Sequence, residues 1–132
     1  MKIQKTTDYA IRILRYLHQN ANSGEVLTAS AIADALRISY PHFIKLANPL
    51  KKNGLIISVQ GRRGGYRLAA RGHESSVYDI FLAIEGHLRI SPYTDARLDT
   101  EQCHVREYFL ELEGQIINMM RQKKIADFDG AA

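Results

Sequence analysis

The sequence has little of what extracellular and membrane-spanning proteins depend on. Its 132 residues include a single cysteine, Cys103, so no disulfide can form within the chain. No segment approaches the roughly 20 apolar residues that cross a bilayer, and residues 1–5 lack the apolar run of a signal peptide. These absences predict a cytoplasmic protein with no membrane partner.

The sequence also lacks the residue combinations on which catalytic and metal sites are built. Its five histidines show neither H-x-x-H nor H-E-x-x-H spacing, the usual helical metal-binding patterns. The glycine-rich stretch G-R-R-G-G is not followed by the Lys-Ser/Thr pair of a phosphate-binding loop. Because no nucleophile, base and oxyanion donor converge in the sequence, we expect a protein that is not an enzyme.

Charge is distributed very unevenly along the chain. Residues 1–73 hold 12 Lys and Arg against 3 Asp and Glu, whereas residues 74–132 hold 6 against 11. A basic N-terminal part suits a polyphosphate ligand, since each neutralised phosphate releases counterions. The acidic C-terminal part would repel the same ligand, so the two parts are expected to have different partners.

A glycine-bearing hairpin is the strongest local signal. Residues 55–68 read L-I-I-S-V-Q-G-R-R-G-G-Y-R-L, in which two apolar runs flank a basic, glycine-rich tip. This pattern predicts a β-hairpin that projects Arg62 and Arg63. The negative potential of a narrow minor groove attracts inserted arginines, which favours the wing of a DNA-binding domain over a solvated basic turn.

Three helices are predicted ahead of this hairpin. The first begins behind a hydroxyl cap at Thr6 or Thr7 and ends near Asn20, the second is capped by Thr28, and the third by Ser39. The second and third helices are separated by only a few residues, as in a helix-turn-helix. The predicted fold is therefore mainly α with a small β-hairpin: a winged helix-turn-helix domain plus a long C-terminal dimerisation helix.

The C-terminal part is predicted to supply that long helix. A short helix over 77–85 and an aperiodic loop over 87–100 precede an apolar seam typical of a coiled coil. The seam, and thus the expected dimer interface, comprises Val105, Phe109, Leu112, Ile116 and Met119. The alternative is a helix that folds back on its own core. The expected division is a DNA-binding domain over 1–73 and a dimerisation and effector region over 74–132.

Three stretches resemble the Rrf-two type of bacterial transcriptional regulators: T-T-D-Y-A-I-R-I-L, I-S-Y-P-H-F, and K-N-G-L-I-I-S-V-Q-G-R-R-G-G-Y-R-L. The resemblance covers nearly the whole chain and implies a homodimer, two winged helices on a palindromic operator, and a long helix crossing between subunits. The family's usual wing reads V-R-G-P-G-G-G-Y, and here Gln60 replaces the arginine while Arg62 and Arg63 replace Pro-Gly. The arginine that enters the minor groove is therefore expected two positions after Gln60, nearer the tip of the wing.

The motifs and the resemblance together assign a set of candidate DNA contacts. Four face the major groove from the turn that begins the third helix, where a helix-turn-helix reads bases. The complete set is Thr28, Ser39, Tyr40, His42, Lys45, Gln60, Arg62, Arg63, Gly64 and Gly65. The expected function is that of a sequence-specific regulator, a repressor by preference, that binds double-stranded DNA.

Cys103 is the residue on which cofactor expectations depend. Many members of the family that this chain resembles hold an iron–sulfur cluster through three cysteines. Cys103 matches the last of these three, and the other two have no counterpart in this sequence. A three-thiolate site within one subunit is impossible, so no cofactor is expected. Cys103 is expected to be an inert thiol at the start of a helix. The alternatives are a redox-active thiol, or a cluster held by Cys103 with non-cysteine ligands such as His104 or Asp8, or with one thiolate from each subunit.

Two functions of other classes stay open. One is an RNA-binding or polymerase-associated basic module without operator specificity, and the other is an interaction protein that dimerises through the long helix. The first predicts exposed aromatic side chains for stacking on single strands. The second leaves the basic half unexplained. For a regulator, the expected trigger is a small molecule, redox signal or partner protein acting between the short and long helices.

Overall fold

The computed structural model describes residues 3–20, 25–90 and 100–129, with the backbone alone for residues 100–103. Three helices come first: α1 (Lys5–Asn20), α2 (Ala29–Leu36) and α3 (Tyr40–Lys52). The hydroxyl of Thr28 accepts a hydrogen bond from the Ala31 amide at 3.1 Å, which caps α2 as predicted. Arg37, in the left-handed conformation at φ 57°, ends α2 and allows α3 to begin three residues later.

The predicted hairpin is present and consists of β1 (Ile56–Val59) and β2 (Gly65–Leu68). The strands pair antiparallel, from Ile56 opposite Leu68 to Val59 opposite Gly65. A further backbone bridge joins Leu27 to Tyr66 on the free side of β2. The segment before α2 therefore extends the two-stranded wing at its base, a pairing that the sequence pattern did not reveal.

Three shorter elements and one long helix complete the chain. They are α4 (Ala70–His73), α5 (Val77–Glu85), α6 (Thr100–Gln122) and a 3-10 helix (Ile125–Phe128). A capping box begins α5, in which Ser76 and Asp79 satisfy each other's backbone amides at 3.1 and 2.9 Å. The short helix predicted over 77–85 is present as α5, and α6 spans the segment in which the long helix is expected. Its role in dimerisation stays a prediction.

The main core lies beneath α1, α3 and the wing. Side chains from all three are fully buried there, including Leu14, Phe43 and Ile56. Ile80 of α5 and Ile125 of the 3-10 helix are equally buried in the same core. After α6 the chain returns and packs against α1. The Ile125 amide donates a hydrogen bond of 2.9 Å to the Ser75 carbonyl, which holds this segment in place. The proposed boundary after residue 73 stays a prediction, but the core crosses it.

The start of α1 differs from the prediction. Thr6 and Thr7 do not precede the helix, which begins at Lys5, and Thr7 is buried within the first turns. Its hydroxyl donates to the Glu85 carboxylate at the end of α5. Local sequence rules favour a hydroxyl as a helix cap, but this one satisfies a carboxylate 78 residues away instead.

Part of the predicted loop over 87–100 lies outside the described residues, namely 91–99. Among the residues that the structure describes, no helix is both long enough and apolar enough for a membrane crossing.

Candidate nucleic-acid interface

The first turn of α3 presents the residues that the sequence assigned to the major groove. Ser39 is the N-cap, and its hydroxyl accepts from the His42 amide at 3.2 Å. Tyr40, just inside the helix, is 54 % exposed, and Lys45 is also exposed one turn later. The buried hydrophobic residues of α3 point into the core, and this polar turn is open to an external ligand.

His42 is less free than its neighbours. Its ring lies 5.4 Å from that of Tyr9 of α1 in an edge-to-face arrangement. Such aromatic pairs favour one ring orientation over others. The contact therefore connects α1 to the turn that begins α3, and His42 is positioned by packing as well as by the cap.

The tip of the wing is a tight turn built on glycine. The Gly64 amide donates to the Gly61 carbonyl at 2.9 Å, and Gly61 has φ 107°, a conformation that disfavours side chains. A Cβ on Gly64 would lie 2.2 Å from the Val59 carbonyl oxygen. Arg62 and Arg63 occupy the exposed top of this turn, and neither forms an ion pair with the described residues.

The base of the wing is fixed to the helix-turn-helix. The backbones of Leu27 and Tyr66 exchange hydrogen bonds of 2.9 and 2.7 Å, and the Tyr66 ring packs edge-on against Phe43 of α3 at 5.1 Å. Gly65 permits this approach, since a Cβ there would meet the Leu27 carbonyl oxygen at 2.3 Å. The structure thus gives Gly64 and Gly65 packing roles, and their assignment to DNA contact stays a prediction.

Tyr66 has an altered ionisation equilibrium because of this position. Partial burial at the base of the wing raises the pKa of the Tyr66 phenol above its ordinary value of 10.0, and a smaller contribution comes from Tyr40. Tyr66 is therefore neutral across the physiological range.

The sequence pattern did not identify Arg37 as a candidate. It lines a cleft of about 370 Å³ together with Lys5, Asp8, Tyr9, Arg12, Ala35 and Leu36. Arg12 is paired there with Asp8 at 2.8 Å, whereas Arg37 is exposed on the turn between α2 and α3. Arg37 ends α2 in a left-handed conformation, which its residue type does not signal. The predicted contacts Thr28 and Gln60 are also exposed, at the start of α2 and beside the wing tip.

The long helix α6 has two distinct faces. One packs within the chain: Ile116, Ile117 and Met120 contact a cluster of Tyr78, Phe81 and Leu88, while Glu113 accepts from the Ile90 amide at 2.6 Å. With 3.6 residues per turn, Val105, Tyr108, Leu112 and Met119 fall within a sector of about 60° beside this face. Val105, Tyr108 and Met119 are 47, 60 and 75 % exposed.

This division separates the members of the predicted seam. Ile116 packs inside the chain and Phe109 is partly buried, whereas Val105 and Met119 are open to solvent. The alternative, a helix that folds onto its own core, therefore describes one face of α6, and the expected dimer interface stays a prediction for the other face. We name the exposed residues Val105, Tyr108 and Met119, together with the partly buried Leu112 between them, the outer stripe.

The residues of this chain do not supply the usual donor set of an iron–sulfur cluster. The chain has one cysteine, so a single subunit cannot provide three thiolates. Cys103 lies in the first turns of α6, but its side chain falls outside the described part of the structure. Within that part, no group of three or more His, Cys, Asp or Glu side chains is arranged to hold a metal ion. A three-cysteine cluster site does not fit this chain.

Comparison with known proteins agrees with the fold and the motifs. A family profile described as Rrf2, iron-dependent transcriptional regulator, matches residues 3–129. The transcriptional regulator NsrR of Shouchella clausii is 28 % identical over 131 residues, covering 96 % of this chain and 87 % of the relative. A regulator named YffB from Lactococcus lactis is 37 % identical over 82 residues, which is 62 % of this chain and 50 % of the relative.

Solved structures with the same fold include regulators of the same kind. CymR, the global cysteine regulator of B. subtilis, superposes with a TM-score of 0.79 at 24 % identity, over 97 % of this chain and 95 % of CymR. IscR of T. potens superposes with a TM-score of 0.73 at 26 % identity, over 97 % of this chain and 85 % of IscR. These relatives are regulators rather than enzymes. The profile match over nearly all residues shows that this chain belongs to the Rrf2 family of winged-helix transcription regulators.

Proposed function

We propose that this protein is a homodimeric regulator that binds duplex DNA at a palindromic operator. The first turn of α3, with Ser39, Tyr40, His42 and Lys45, would face the major groove. The tip of the wing, with Gln60, Arg62 and Arg63, would face the adjacent minor groove. Thr28 and Arg37, at the ends of α2, would contact backbone phosphates.

The wing tip is the observation that carries this proposal. Two neighbouring arginines are held on a glycine turn with no acidic partner among the described residues. Exposed like charges on a rigid tip gain little unless an anion lies opposite them. The Tyr66 contacts with Leu27 and Phe43 fix this tip relative to α3, so both elements would engage one DNA face together.

The dimer is supported by the outer stripe of α6. The 23-residue helix exposes a row of apolar side chains, and Met119 is 75 % exposed. A contiguous apolar surface of this kind is typical of a protein–protein interface. A second copy would bury the same stripe against itself, as a twofold-symmetric interface requires. A palindromic operator mirrors that symmetry, with half-sites separated by whole helical turns.

Regulation is proposed to act between α5 and α6. An apolar cleft of about 440 Å³ lies where the start of α5 meets the end of α6, lined by Val77, Met119, Met120, Gln122 and Lys123. A small molecule or partner bound there would shift α6 and change the separation of the two α3 helices. A preference of about 1–3 kcal/mol between DNA-competent and incompetent dimers is enough for regulation.

Selection of bound sequences from random duplex DNA, followed by footprinting, tests this function. We expect enrichment of an imperfect inverted repeat, protected over two half-sites about 10–10.5 base pairs apart or a multiple of that spacing. The control is the full-length variant with both Arg62 and Arg63 replaced by alanine, which should enrich the repeat poorly. Binding without sequence preference, a single protected half-site, or preference for single strands would contradict the proposal.

The cofactor alternative has its own test. Protein purified without oxygen is expected to be colourless and to lack stoichiometric iron, because one chain offers a single thiolate. Visible charge-transfer absorbance together with stoichiometric iron, both abolished by Cys103→Ala, would replace the effector cleft with a cluster as the sensing site.

A further inference from the structure

We propose that His18 and His73 form a binding site for a divalent transition metal, of the Zn²⁺ or Cu²⁺ type, that is separate from Cys103. Their Nδ1 atoms lie 3.1 Å apart, although the two residues are 55 positions apart in the sequence. Two nitrogens bound to one Zn²⁺ at about 2.0–2.1 Å are separated by roughly 3.3 Å at a tetrahedral angle. The observed spacing therefore needs little adjustment to accept an ion.

The hydrogen bonding of His18 prepares it as a ligand. On the other side of the ring, Nε2 lies 3.0 Å from the Asp129 carboxylate oxygen, which assigns the ring hydrogen to Nε2. The lone pair of His18 is then on Nδ1, which accepts from His73 Nδ1–H in the metal-free protein. Binding of an ion between the two nitrogens would require the neutral His73 ring to carry its hydrogen on Nε2 instead. A carboxylate behind the histidine that faces the ion is the arrangement that fixes ring orientation in protein metal sites.

The three residues are held by three different parts of the fold. His18 is in the last turn of α1, and His73 ends α4, which packs so closely that a Cβ on Gly72 would meet the Leu55 carbonyl oxygen at 2.1 Å. Asp129 directly follows the 3-10 helix anchored by buried Ile125. Each donor is thus positioned independently, which lowers the entropic cost of assembling the site.

The chemistry selects the class of ion. Imidazole nitrogens suit Zn²⁺, Cu²⁺ and Ni²⁺, and they are poor ligands for Mg²⁺ and Ca²⁺. The pair supplies two donors, so water would complete the coordination. The His18 side chain is 21 % exposed, so an ion can enter from solvent. A hydrogen bond between two neutral histidines at this surface would contribute only about 0.5–1.5 kcal/mol.

Occupation of the site would have a mechanical consequence. The ion would connect α1 and α4, which belong to the DNA-binding part, and Asp129 would orient one of its ligands from the segment that follows α6. Metal binding would therefore stabilise the docking of that segment against α1. This inference does not depend on DNA binding.

Calorimetric titration of the metal-free, full-length protein with Zn²⁺ tests the proposal, using Cys103→Ala as the background to remove thiolate binding. We expect one ion per chain and a rise in Tm with Zn²⁺. His73→Ala and His18→Ala should each lose at least tenfold in affinity. Asp129→Asn should lose 10–100-fold, the usual range for the partner of a ligating histidine. His87→Ala, at an exposed histidine elsewhere, should bind as the background does.

Two results would overturn the proposal. One is the absence of Zn²⁺ binding to the Cys103→Ala protein, and the other is binding that His73→Ala leaves unchanged. Because His18 is packed more tightly than His73, His73→Gln serves as the deciding variant if His18→Ala does not fold. Glutamine retains hydrogen bonding to His18 but lacks an imidazole nitrogen, so it should fold normally and lose the metal.

Discussion

Removal of the Arg62 and Arg63 side chains should weaken DNA binding strongly and change the stability of the fold little. Both are exposed on the glycine turn of the wing, so replacing them with alanine should change stability by no more than about 0.5 kcal/mol. Operator affinity should fall by about 1–3 kcal/mol for each arginine that no longer reaches the groove. Fluorescence anisotropy with a labelled duplex measures the affinity, and thermal unfolding measures stability.

A matched control removes a cation elsewhere. Arg89→Ala takes away an exposed positive charge from the acidic half of the chain and should leave affinity nearly unchanged. If the double arginine variant bound the operator as tightly as the parent does, the wing would be a spacer rather than a contact.

Tyr66 should make the protein sensitive to alkali. Burial raises the pKa of its phenol in the folded state, so folding favours the protonated form. The resulting stabilisation is fully present below the unfolded value of 10.0 and is lost as the pH rises through the higher folded value. The free energy of unfolding, measured by denaturant titration across this window, should decline in the parent. Tyr66→Phe should reduce that decline, and an equal decline in both proteins would exclude Tyr66 as its source.

Individual residues differ in how well sequence alone could place them. Ser39 and Thr28 cap their helices as expected, because a cap is a contact between near neighbours. Thr7 was misassigned because its hydroxyl bonds with Glu85, and no local rule reveals a partner 78 residues away. The pairing of His18 with His73 was missed for the same reason.

At the level of elements, the start of α3 combines two roles that mutations can separate. Ser39 caps the helix and also stands at the proposed DNA surface. Ser39→Ala should cost about 0.5–2 kcal/mol of stability because the cap is removed. Ser39→Asp keeps a capping oxygen and suits the helix dipole, so stability should be retained. The added carboxylate would face phosphates, however, and DNA affinity should fall sharply.

Chemical denaturation and DNA titration of the two Ser39 variants give the comparison. Loss of DNA binding by Ser39→Asp, with stability intact, is the expected pattern. If this variant bound as the parent does, the first turn of α3 would lie away from the DNA.

The outer stripe of α6 should control assembly. Val105→Glu combined with Met119→Glu places charges on two exposed positions, so the single subunit should still fold. Apposed carboxylates in an apolar interface cost far more than they do in water, and the dimer should dissociate. Sedimentation equilibrium measures the mass, with Asn118→Glu on the polar face as the control. A double variant that stays dimeric would move the interface to another surface.

The elements themselves were largely predictable, whereas their long-range packing was not. Apolar periodicity, capping residues and glycine turns predicted α2, α3, the wing and α5. Each of these patterns is local, because the residues that form it lie within a few positions of one another. The return of Ile125 to the core and the bridge from Leu27 to the wing depend on tertiary contacts. The apolar period indicated a helix in the α6 segment. The period alone did not show that Ile116 packs inside the chain while Met119 is exposed to solvent.

At the scale of the whole molecule, the uneven charge defines one basic end. Residues 1–73 carry nine more positive than negative charges, and the wing and the turn before α3 lie within them. The acidic residues belong mostly to the part that holds α6, so attraction to a polyanion would orient each subunit with the wing forward. The buried contact of Ile125 keeps α6 attached to that basic end.

The salt dependence of binding to the selected operator tests the central claim most directly. A dimer that neutralises several phosphates in each subunit should lose affinity linearly on a log–log plot, with a slope of about −0.9 for each phosphate contact. The measurement is anisotropy titration of a duplex containing both half-sites, beside a duplex containing one. We expect a steep slope and one dimer bound to the complete site. Binding that salt leaves unchanged, or equal affinity for the single half-site, would contradict a dimeric duplex-binding regulator.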